Sequence, residues 1–314
     1  MKIIEGKKLF HNDMPLALSI GKFDGVHLGH RKILSALAAR ESEGLTPAVL
    51  TFDPSPEAWF TGQERVLTTR EEKRYLLAQA GVGLLIELPF DRETADTDPA
   101  AFAENVLARQ LSVRFIAAGP DLSFGAGGRG SFELLESMAG SLAFETQRVD
   151  KVQWDGAPIS STRIRGLVEE ARMEEAAEMM GRAYLIRGRV EHGRQLGRTI
   201  GIPTANLIPP AEKILPPNGV YYSIVTLDGV TYDAMTNIGV KPTVSDEAKV
   251  TAETYLYGFD GDLYGQEASV SLLSFRRPER KFADVAELKE AMHQDVEEGI
   301  RFHERRRRQE ERTV

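Results

Sequence analysis

Two histidines, His27 and His30, stand three residues apart in the segment GKFDGVHLGH, residues 21–30. At the start of a helix this spacing lets both side chains face one ligand, and the free N–H groups and dipole of a helix N-terminus favour phosphate. Imidazoles placed there can stabilise charge on the α-phosphate of a nucleotide as one oxygen attacks and pyrophosphate leaves. The segment therefore predicts nucleotidyl transfer. The alternative is a pair of capping or surface histidines beside a tight turn.

Two further segments of the first half could complete such a site. The segment ISSTRIR, residues 159–165, places Ser, Thr and two arginines at a predicted helix start. Arginine suits bidentate phosphate contacts, although Ser and Thr are equally typical of a simple helix cap. The glycine-rich loop GPDLSFGAGGRG, residues 119–130, follows a predicted strand and is either a flexible connection or the edge of a substrate site.

A segment of the second half, HGRQLGRTIGIPTAN at residues 192–206, has residues suited to a metal-bound polyphosphate. Thr204 and Asn206 alternate along an extended stretch, so their oxygens point to one side. Hydroxyl and amide oxygens are hard ligands that suit Mg²⁺ on ATP phosphates. A turn with local Thr and Asn hydrogen bonds explains the same residues more simply. The chain has no P-loop pattern, so a kinase here would have to work without one.

Alternating apolar strands and helical patterns predict an α/β domain with a doubly wound parallel sheet in the first half. Strands are expected at residues 16–21, 48–52, 83–88, 113–118 and 142–148, and helices at residues 29–43, 70–79, 99–110 and 164–180. Ligands of such sheets bind at the carboxyl ends of the strands. The histidine segment follows the first of these strands, which favours the catalytic interpretation.

From about Tyr184 the pattern changes to short strands joined by turns. Strands are expected at residues 221–227, 232–236, 250–257 and 267–274, and an amphipathic helix at residues 284–302. Asp228-Gly229 predicts a hairpin between the first two strands. The second half is thus predicted to be a small antiparallel β-barrel with a C-terminal helix. The predicted domains are residues 1–182 and 183–314.

Composition excludes several classes of protein. The chain has 314 residues, a formal net charge of −8 and no cysteine, which excludes disulfides, thiolate metal sites and a cysteine nucleophile. The negative charge argues against broad nucleic-acid binding, and the arginines of residues 305–308 are interleaved with glutamates as on a solvated helix end. No apolar run approaches the ~20 residues that span a bilayer, and no secretory signal is evident. A soluble, cytoplasmic protein without nucleic-acid or membrane partners is expected.

In this order, GKFDGVHLGH, GPDLSFGAGGRG and ISSTRIR resemble the FMN adenylyltransferase module of bacterial riboflavin-biosynthesis enzymes, in the H-x-G-H nucleotidyltransferase superfamily. The segments GRTIGIPTAN, TNIGVKPTV, ETYLYGFDGDLYGQ and RRPERKF closely resemble the riboflavin kinase domain over residues 184–314. The resemblance implies a bifunctional enzyme that phosphorylates riboflavin to FMN and adenylates FMN to FAD, releasing pyrophosphate. The implied partners are ATP, riboflavin and FMN, the implied cofactor is Mg²⁺, and self-association is expected to be weak.

The resemblance also implies roles for individual residues. His27 and His30 would be catalytic in adenylyl transfer, with Asp121 on the flavin side of that site. ATP there would be bound by Gly21, Phe23, Asp24, Gly29, Ser161, Thr162 and Arg163. In the kinase, Glu253 would be the base for the ribityl hydroxyl, and Thr204 and Asn206 would hold the metal. The phosphate loop would include Gly193 and Arg198, and the flavin or nucleotide pocket Tyr264, Arg277, Arg280 and Phe282.

Three departures from the family pattern lie in the first half. Lys22 replaces the usual Asn, Ser55 a frequent His, and Leu122-Ser123 a common Phe-Arg pair. Three alternatives therefore stay open. The first half could be a scaffold beside an active kinase, although both histidines are retained. The chain could be a flavin- or nucleotide-sensing regulator without turnover, although the retention of Glu253 beside Thr204 and Asn206 argues against this. The acceptor of the adenylyl group could also differ from FMN.

Overall fold

The computed structural model describes residues 1–6, 10–191, 204–242 and 248–313. Its internal contacts divide the chain into two compact units, Met1–Ser161 and Thr162–Val314. No helix in these described ranges is long and apolar enough to cross a membrane.

The first unit is built on a six-stranded parallel sheet with the strand order β1-β4-β3-β2-β5-β6. Its strands are β1 (Lys2–Glu5), β2 (Leu16–Ile20), β3 (Thr46–Asp53), β4 (Leu84–Pro89), β5 (Val113–Ala118) and β6 (Glu145–Arg148). Every residue of β2 is buried, as expected for a central strand covered on both faces. The chain builds the sheet to one side of β2 and then returns to its other side with β5, so the strand order reverses beside β2. Ligands of open α/β sheets bind beyond the carboxyl ends of strands at such a point.

Helices cover this sheet. They are α1 (Leu28–Ala38), α2 (Pro56–Thr61), α3 (Arg70–Gln79), α4 (Arg92–Asp96), α5 (Pro99–Ala101) and α6 (Phe132–Leu142). The helix predicted over residues 99–110 is present, but after α5 it continues as a π-helix, Phe102–Gln110. The core between sheet and helices is aliphatic, with Leu18, Leu50 and Ile86 fully buried. A two-stranded hairpin, β7 (Gln153–Trp154) with β8 (Ala157–Pro158), completes the unit.

Two helices, α7 (Ser161–Glu169) and α8 (Met173–Met180), replace the single helix predicted over residues 164–180. The break falls at Ala171, whose φ of +59° is left-handed and cannot continue a right-handed helix. The division between the compact units falls after the first residue of α7.

The second unit is built on a curled, six-stranded antiparallel sheet with the order β10-β13-β12-β11-β14-β9. Its strands are β9 (Tyr184–Arg189), β10 (Ala205–Leu207), β11 (Gly219–Leu227), β12 (Val230–Pro242), β13 (Ala248–Leu256) and β14 (Glu267–Pro278). The two outer strands approach each other where the Glu191 N–H donates to the Asn206 carbonyl, at 2.8 Å. A buried row of hydroxyls crosses three strands, because Thr236 bonds to both Ser223 and Thr254.

The hairpin predicted at Asp228-Gly229 is confirmed. These residues have φ values of +46° and +82° and directly join β11 to β12, as a two-residue turn with both residues left-handed requires. A single long helix, α9 (Val285–Thr313), follows β14 and extends beyond the predicted end at residue 302. Phe302 stacks on Tyr222 of β11 with ring centroids 4.3 Å apart. Both predicted fold classes are thus confirmed, the parallel α/β sheet and the antiparallel barrel-like sheet with a C-terminal helix.

Candidate active sites

His27 and His30 form a stacked pair at the N-terminus of α1. The two ring centroids are 3.7 Å apart and the ring planes are inclined by 15°. His27 is the N-cap residue, and its Nδ1 accepts a hydrogen bond from the His30 backbone N–H at 3.3 Å. Gly29 makes this arrangement possible, because a Cβ at that position would lie 3.1 Å from Cε1 and Nδ1 of His27. The glycine of the H-x-G-H motif is therefore explained by close packing against the first histidine.

The hydrogen bond and the burial of the pair determine the tautomer of His27 and the protonation state of His30. Since Nδ1 of His27 accepts, the proton of the neutral His27 ring lies on Nε2. Burial lowers the pKa of His30 well below its usual value, and the nearby charges of His27 and Lys73 lower it further. His30 is therefore neutral at neutral pH. Its Nδ1 is buried and has no hydrogen-bond partner among the described residues, which suits it to a ligand.

The turn between β2 and α1 is strained. Phe23 and Val26 have φ values of +49° and +38°, and a left-handed conformation is unusual for any side chain and especially for a β-branched one. Asp24 holds this turn in place, because its carboxylate accepts from the backbone N–H groups of Leu67 (2.8 Å) and Thr68 (3.1 Å). Asp24 was predicted to bind ATP, and its carboxylate is buried and bonded to the loop before α3.

A cavity of about 380 Å³ opens at the carboxyl ends of β2 and β5, where the strand order reverses. The predicted residues that line it are Gly21, Phe23, His27, Gly29, His30, Asp121 and Ser161. Ser161 binds the turn between β2 and α1, called the histidine turn below, because its Oγ donates to the Asp24 carbonyl at 2.9 Å. Three of the four positions that depart from the family pattern, Lys22, Leu122 and Ser123, also line the cavity. Thr162 and Arg163 follow Ser161 in α7, beyond the division between the units.

Sequence reasoning missed a second cavity in the first unit, of about 230 Å³ and with several aromatic rings in its lining, called the aromatic cavity below. The rings come from five phenylalanines, Phe52, Phe60, Phe90, Phe102 and Phe124. Ser123 lines both this cavity and the histidine cavity. Phe60 is 69% exposed although it is a large apolar side chain, and it lines this cavity together with Phe52 and Phe90. The signal in the sequence was the placement of Phe52 and Phe90 at the carboxyl ends of β3 and β4.

In the second unit, Glu253 of β13 lies directly opposite Asn206 of β10. On its other side Glu253 pairs with Asn237 of β12. Side chains of directly opposed residues share one face of a sheet, so two amides flank the carboxylate. Asn206 is buried and Glu253 half-buried. Sequence reasoning had no means of finding Asn237, because its position beside Glu253 depends on strand register.

Thr204 precedes β10, and its carbonyl accepts a hydrogen bond from Nδ2 of Asn206 at 3.4 Å. Thr204 also lines a cavity of about 240 Å³ together with Tyr264, Leu256 and Phe259. Two predicted residues, one for metal and one for flavin or nucleotide, therefore lie at the same cavity. In the described part of the chain, no three His, Cys, Asp or Glu side chains come together as a metal site, so a cation there would depend on ligands such as Thr and Asn oxygens.

Three further predicted residues of the flavin or nucleotide pocket do not line this cavity. Arg277 is held by Asp295 of α9, with Nη2 2.6 Å and Nε 3.0 Å from Oδ2, and the Asp295 side chain is 4% exposed. The Arg280 guanidinium lies over the ring of Phe282, 4.8 Å from its centroid. Gly193 and Arg198 lie outside the described residues.

Comparisons with known proteins cover nearly the whole chain. The FAD synthetase family model matches residues 10–163, and the riboflavin kinase family model matches residues 180–303. The bifunctional riboflavin kinase/FMN adenylyltransferase of Listeria monocytogenes is 36% identical, covering 92% of this chain and 93% of its own. That of Pseudomonas fluorescens is 34% identical, covering 94% and 96%. A crystal structure described as a macrolide-efflux protein from Streptococcus pneumoniae is 29% identical with a TM-score of 0.80, covering 94% of this chain and 97% of that one. The two family models together with these curated relatives show that the chain belongs to the bifunctional riboflavin kinase/FMN adenylyltransferase family.

Proposed function

We propose that this protein makes FAD from riboflavin in two ATP-dependent steps. The riboflavin kinase part transfers the γ-phosphoryl group of ATP to riboflavin and gives FMN. The FAD synthetase part transfers the adenylyl group of a second ATP to FMN, which gives FAD and releases pyrophosphate. The observation that carries the proposal is the order of the two family matches, combined with a stacked histidine pair in a cavity at the carboxyl ends of the parallel strands.

In the adenylyl transfer, a phosphate oxygen of FMN attacks the α-phosphorus of ATP, and the bond to the β-phosphate oxygen breaks. Negative charge grows on the α-phosphate oxygens and on the leaving pyrophosphate. His27 and the N-terminal residues of α1 line the same cavity, where an imidazole and free helix N–H groups can stabilise charge on those oxygens. His30 adds a neutral ring whose buried Nδ1 has no hydrogen-bond partner among the described residues and can therefore bond to a ligand.

The aromatic cavity is the position that we assign to the flavin ring of FMN. Five phenylalanines form a surface that suits a flat aromatic ring, since offset and edge-to-face contacts stabilise aromatic pairs. Because Ser123 belongs to both cavities, a ring in the aromatic cavity can extend its phosphate toward the histidines. This placement supports FMN as the acceptor in spite of Leu122-Ser123.

In the kinase, Glu253 is placed to accept the proton of the ribityl hydroxyl as its oxygen attacks the γ-phosphorus. The Nδ2 of Asn206 is engaged by the Thr204 carbonyl, which leaves Oδ1 as the atom for a cation, and the Thr204 hydroxyl is a second oxygen ligand. Such a ligand set suits Mg²⁺, and the bound ion would neutralise charge on the ATP phosphates. The pairing of Asn206 with Glu253 would place the base beside the nucleotide. Cytoplasmic location and weak self-association stay predictions.

The test is to incubate the purified protein with riboflavin and Mg-ATP and to separate the flavins by chromatography. We expect FMN to appear first and FAD to follow, and neither to form when EDTA removes the metal. A second incubation starts from FMN and tests the adenylyltransferase alone. Accumulation of FMN without FAD in both incubations would contradict the adenylyltransferase. Binding of flavin without any product would favour a sensor.

A further inference from the structure

A lysine outside every recognised motif holds the strained histidine turn. Lys73 of α3 is half-buried, and its Nζ donates to the backbone carbonyl of Lys22 at 3.2 Å. Lys22 immediately precedes the left-handed Phe23. The ammonium therefore binds the backbone at the point where the chain leaves its normal conformation.

The strain explains why such a contact is needed. Residues in sparsely populated backbone conformations persist where the surroundings fix them, and they cluster at functional sites. Thr68 fixes the middle of the turn, since its N–H bonds to the Asp24 carboxylate and its Oγ1 accepts from the Gly25 N–H at 3.1 Å. Lys73 fixes the beginning of the turn, one residue before Phe23.

The position of Lys73 is fixed by the start of its helix, α3. Its helix begins with a capping box, in which the Thr69 hydroxyl accepts from the Glu72 N–H and the Glu72 carboxylate accepts from the Thr69 N–H. Such a cap fixes the first turn of a helix, and Lys73 follows it directly. Burial lowers the pKa of Lys73, and the charges of Asp24 and Glu87 act in the opposite direction.

We propose that Lys73 is a positioning residue for FMN adenylylation, whose ammonium holds the Lys22 carbonyl and so fixes the turn that presents His27 and His30. This inference rests on the proposed adenylyltransferase activity. The Lys73 charge also acts on the catalytic pair, since it contributes to the lowered pKa of His30. The competing role is packing alone, in which the aliphatic part of Lys73 fills space and the charge is irrelevant.

The experiment compares the wild-type protein with Lys73→Met, Lys73→Arg and Lys2→Met in both half-reactions. Methionine keeps the length of the side chain but removes the donor, and arginine keeps a charged donor. Lys2 is an exposed lysine on the edge strand β1 and is the control. We expect Lys73→Met to lower kcat for FAD formation about tenfold or more, because small displacements of catalytic groups cost that much. KM for FMN and the riboflavin kinase rate should stay unchanged, and Lys73→Arg should recover most of the loss.

A pH profile separates the charge from packing. The pKa of His30 responds to the neighbouring charges of His27 and Lys73, so removal of the lysine charge raises it. The acidic limb of kcat/KM for adenylylation should therefore move to higher pH in Lys73→Met and stay in place in Lys73→Arg.

Three results would overturn the inference. One is a Lys73→Met protein with the wild-type rate of FAD formation. Another is a Lys73→Arg protein as slow as Lys73→Met. The third is that the first unit of Lys73→Met does not fold, as measured by tryptophan fluorescence, because Lys73 would then act on stability. A wild-type protein that forms FMN but never FAD would instead contradict the proposed adenylyltransferase, which the unsubstituted chain tests by itself.

Discussion

Glu253 lies between two amides, Asn206 and Asn237, because β13 pairs with β10 on one side and with β12 on the other. The three residues come from distant parts of the chain, and their side chains share one face of the sheet. This position gives the proposed base two amide neighbours on the same face of the sheet. It also separates the kinase chemistry from the histidine pair, which lies in the other compact unit.

Glu253→Gln should abolish FMN formation from riboflavin and leave FAD formation from supplied FMN unchanged. Glutamine keeps the size and the hydrogen-bonding shape but cannot accept a proton, and loss of a general base costs about 10²–10⁴-fold in rate. Both rates are measured by chromatography of the flavins. Glu267→Gln, at an exposed position of β14, is the control and should keep both activities. Full kinase activity in Glu253→Gln would remove Glu253 from the mechanism.

His30→Ala should have the opposite effect, with FMN still formed and FAD formation about 10²–10³-fold slower. That is the usual cost of one lost donor to developing charge. His11→Ala, at an exposed histidine of the same unit, should change neither rate. Equal loss of both activities in His30→Ala would argue that the two reactions share one site.

Gly29→Ala should slow FAD formation although it adds a single methyl group. The new Cβ would lie 3.1 Å from the His27 ring, so the ring must move by a few tenths of an ångström, and its stack with His30 is disturbed. Gly140→Ala is the matched control, because Gly140 lies in α6 and a Cβ there meets no atom within 4 Å. This control should be fully active and more stable by about 0.5–1 kcal/mol, measured by chemical denaturation. An active Gly29→Ala protein would show that the stack is dispensable.

Arg277→Gln should destabilise the second unit by about 3–5 kcal/mol, because it leaves Asp295 buried without its partner. Arg276 also approaches Asp295, at 3.9 Å, which favours the lower end of that range. Denaturant unfolding of the whole protein, with residual kinase activity as the probe of the second unit, measures the effect. If Arg277 instead contacted the flavin directly, KM for riboflavin would rise without a change in stability.

The first unit should lose stability as the pH falls below about 6.5. The pKa of His30 is lowered in the folded protein, whereas the unfolded chain has the ordinary value near 6.5. In that range the unfolded chain takes up a proton that the folded protein excludes, so the free energy of unfolding decreases. His30→Gln should reduce this dependence, measured as the denaturation midpoint between pH 7.5 and 5.5. An unchanged dependence would assign the titration to other groups.

The sequence was most informative where chemistry and local structure coincide. His27, Gly29 and His30 are adjacent in the chain, so helix geometry alone predicts that they act together, and the hairpin at Asp228-Gly229 follows from the same local logic. The row Asn206–Glu253–Asn237 depends on strand register, which no local pattern reveals. The aromatic cavity likewise gathers phenylalanines from β3, β4 and the π-helix. For Asp24 and Arg277 the resemblance implied a ligand contact; the structure shows that each also has an intramolecular partner, and their roles toward a ligand stay predictions.

The position of Trp59 has an optical consequence. Its indole packs edge-on against both Phe60 and Phe90, with centroids 4.8 and 5.7 Å away, so it borders the aromatic cavity. The chain has just two tryptophans, and the other, Trp154, lies in the same unit. Flavins absorb where indoles emit, so a flavin in this cavity would quench Trp59 by energy transfer at short range. If the flavin of FMN binds there as proposed, the protein contains its own fluorophore for following occupancy of the aromatic cavity during turnover, without an added label.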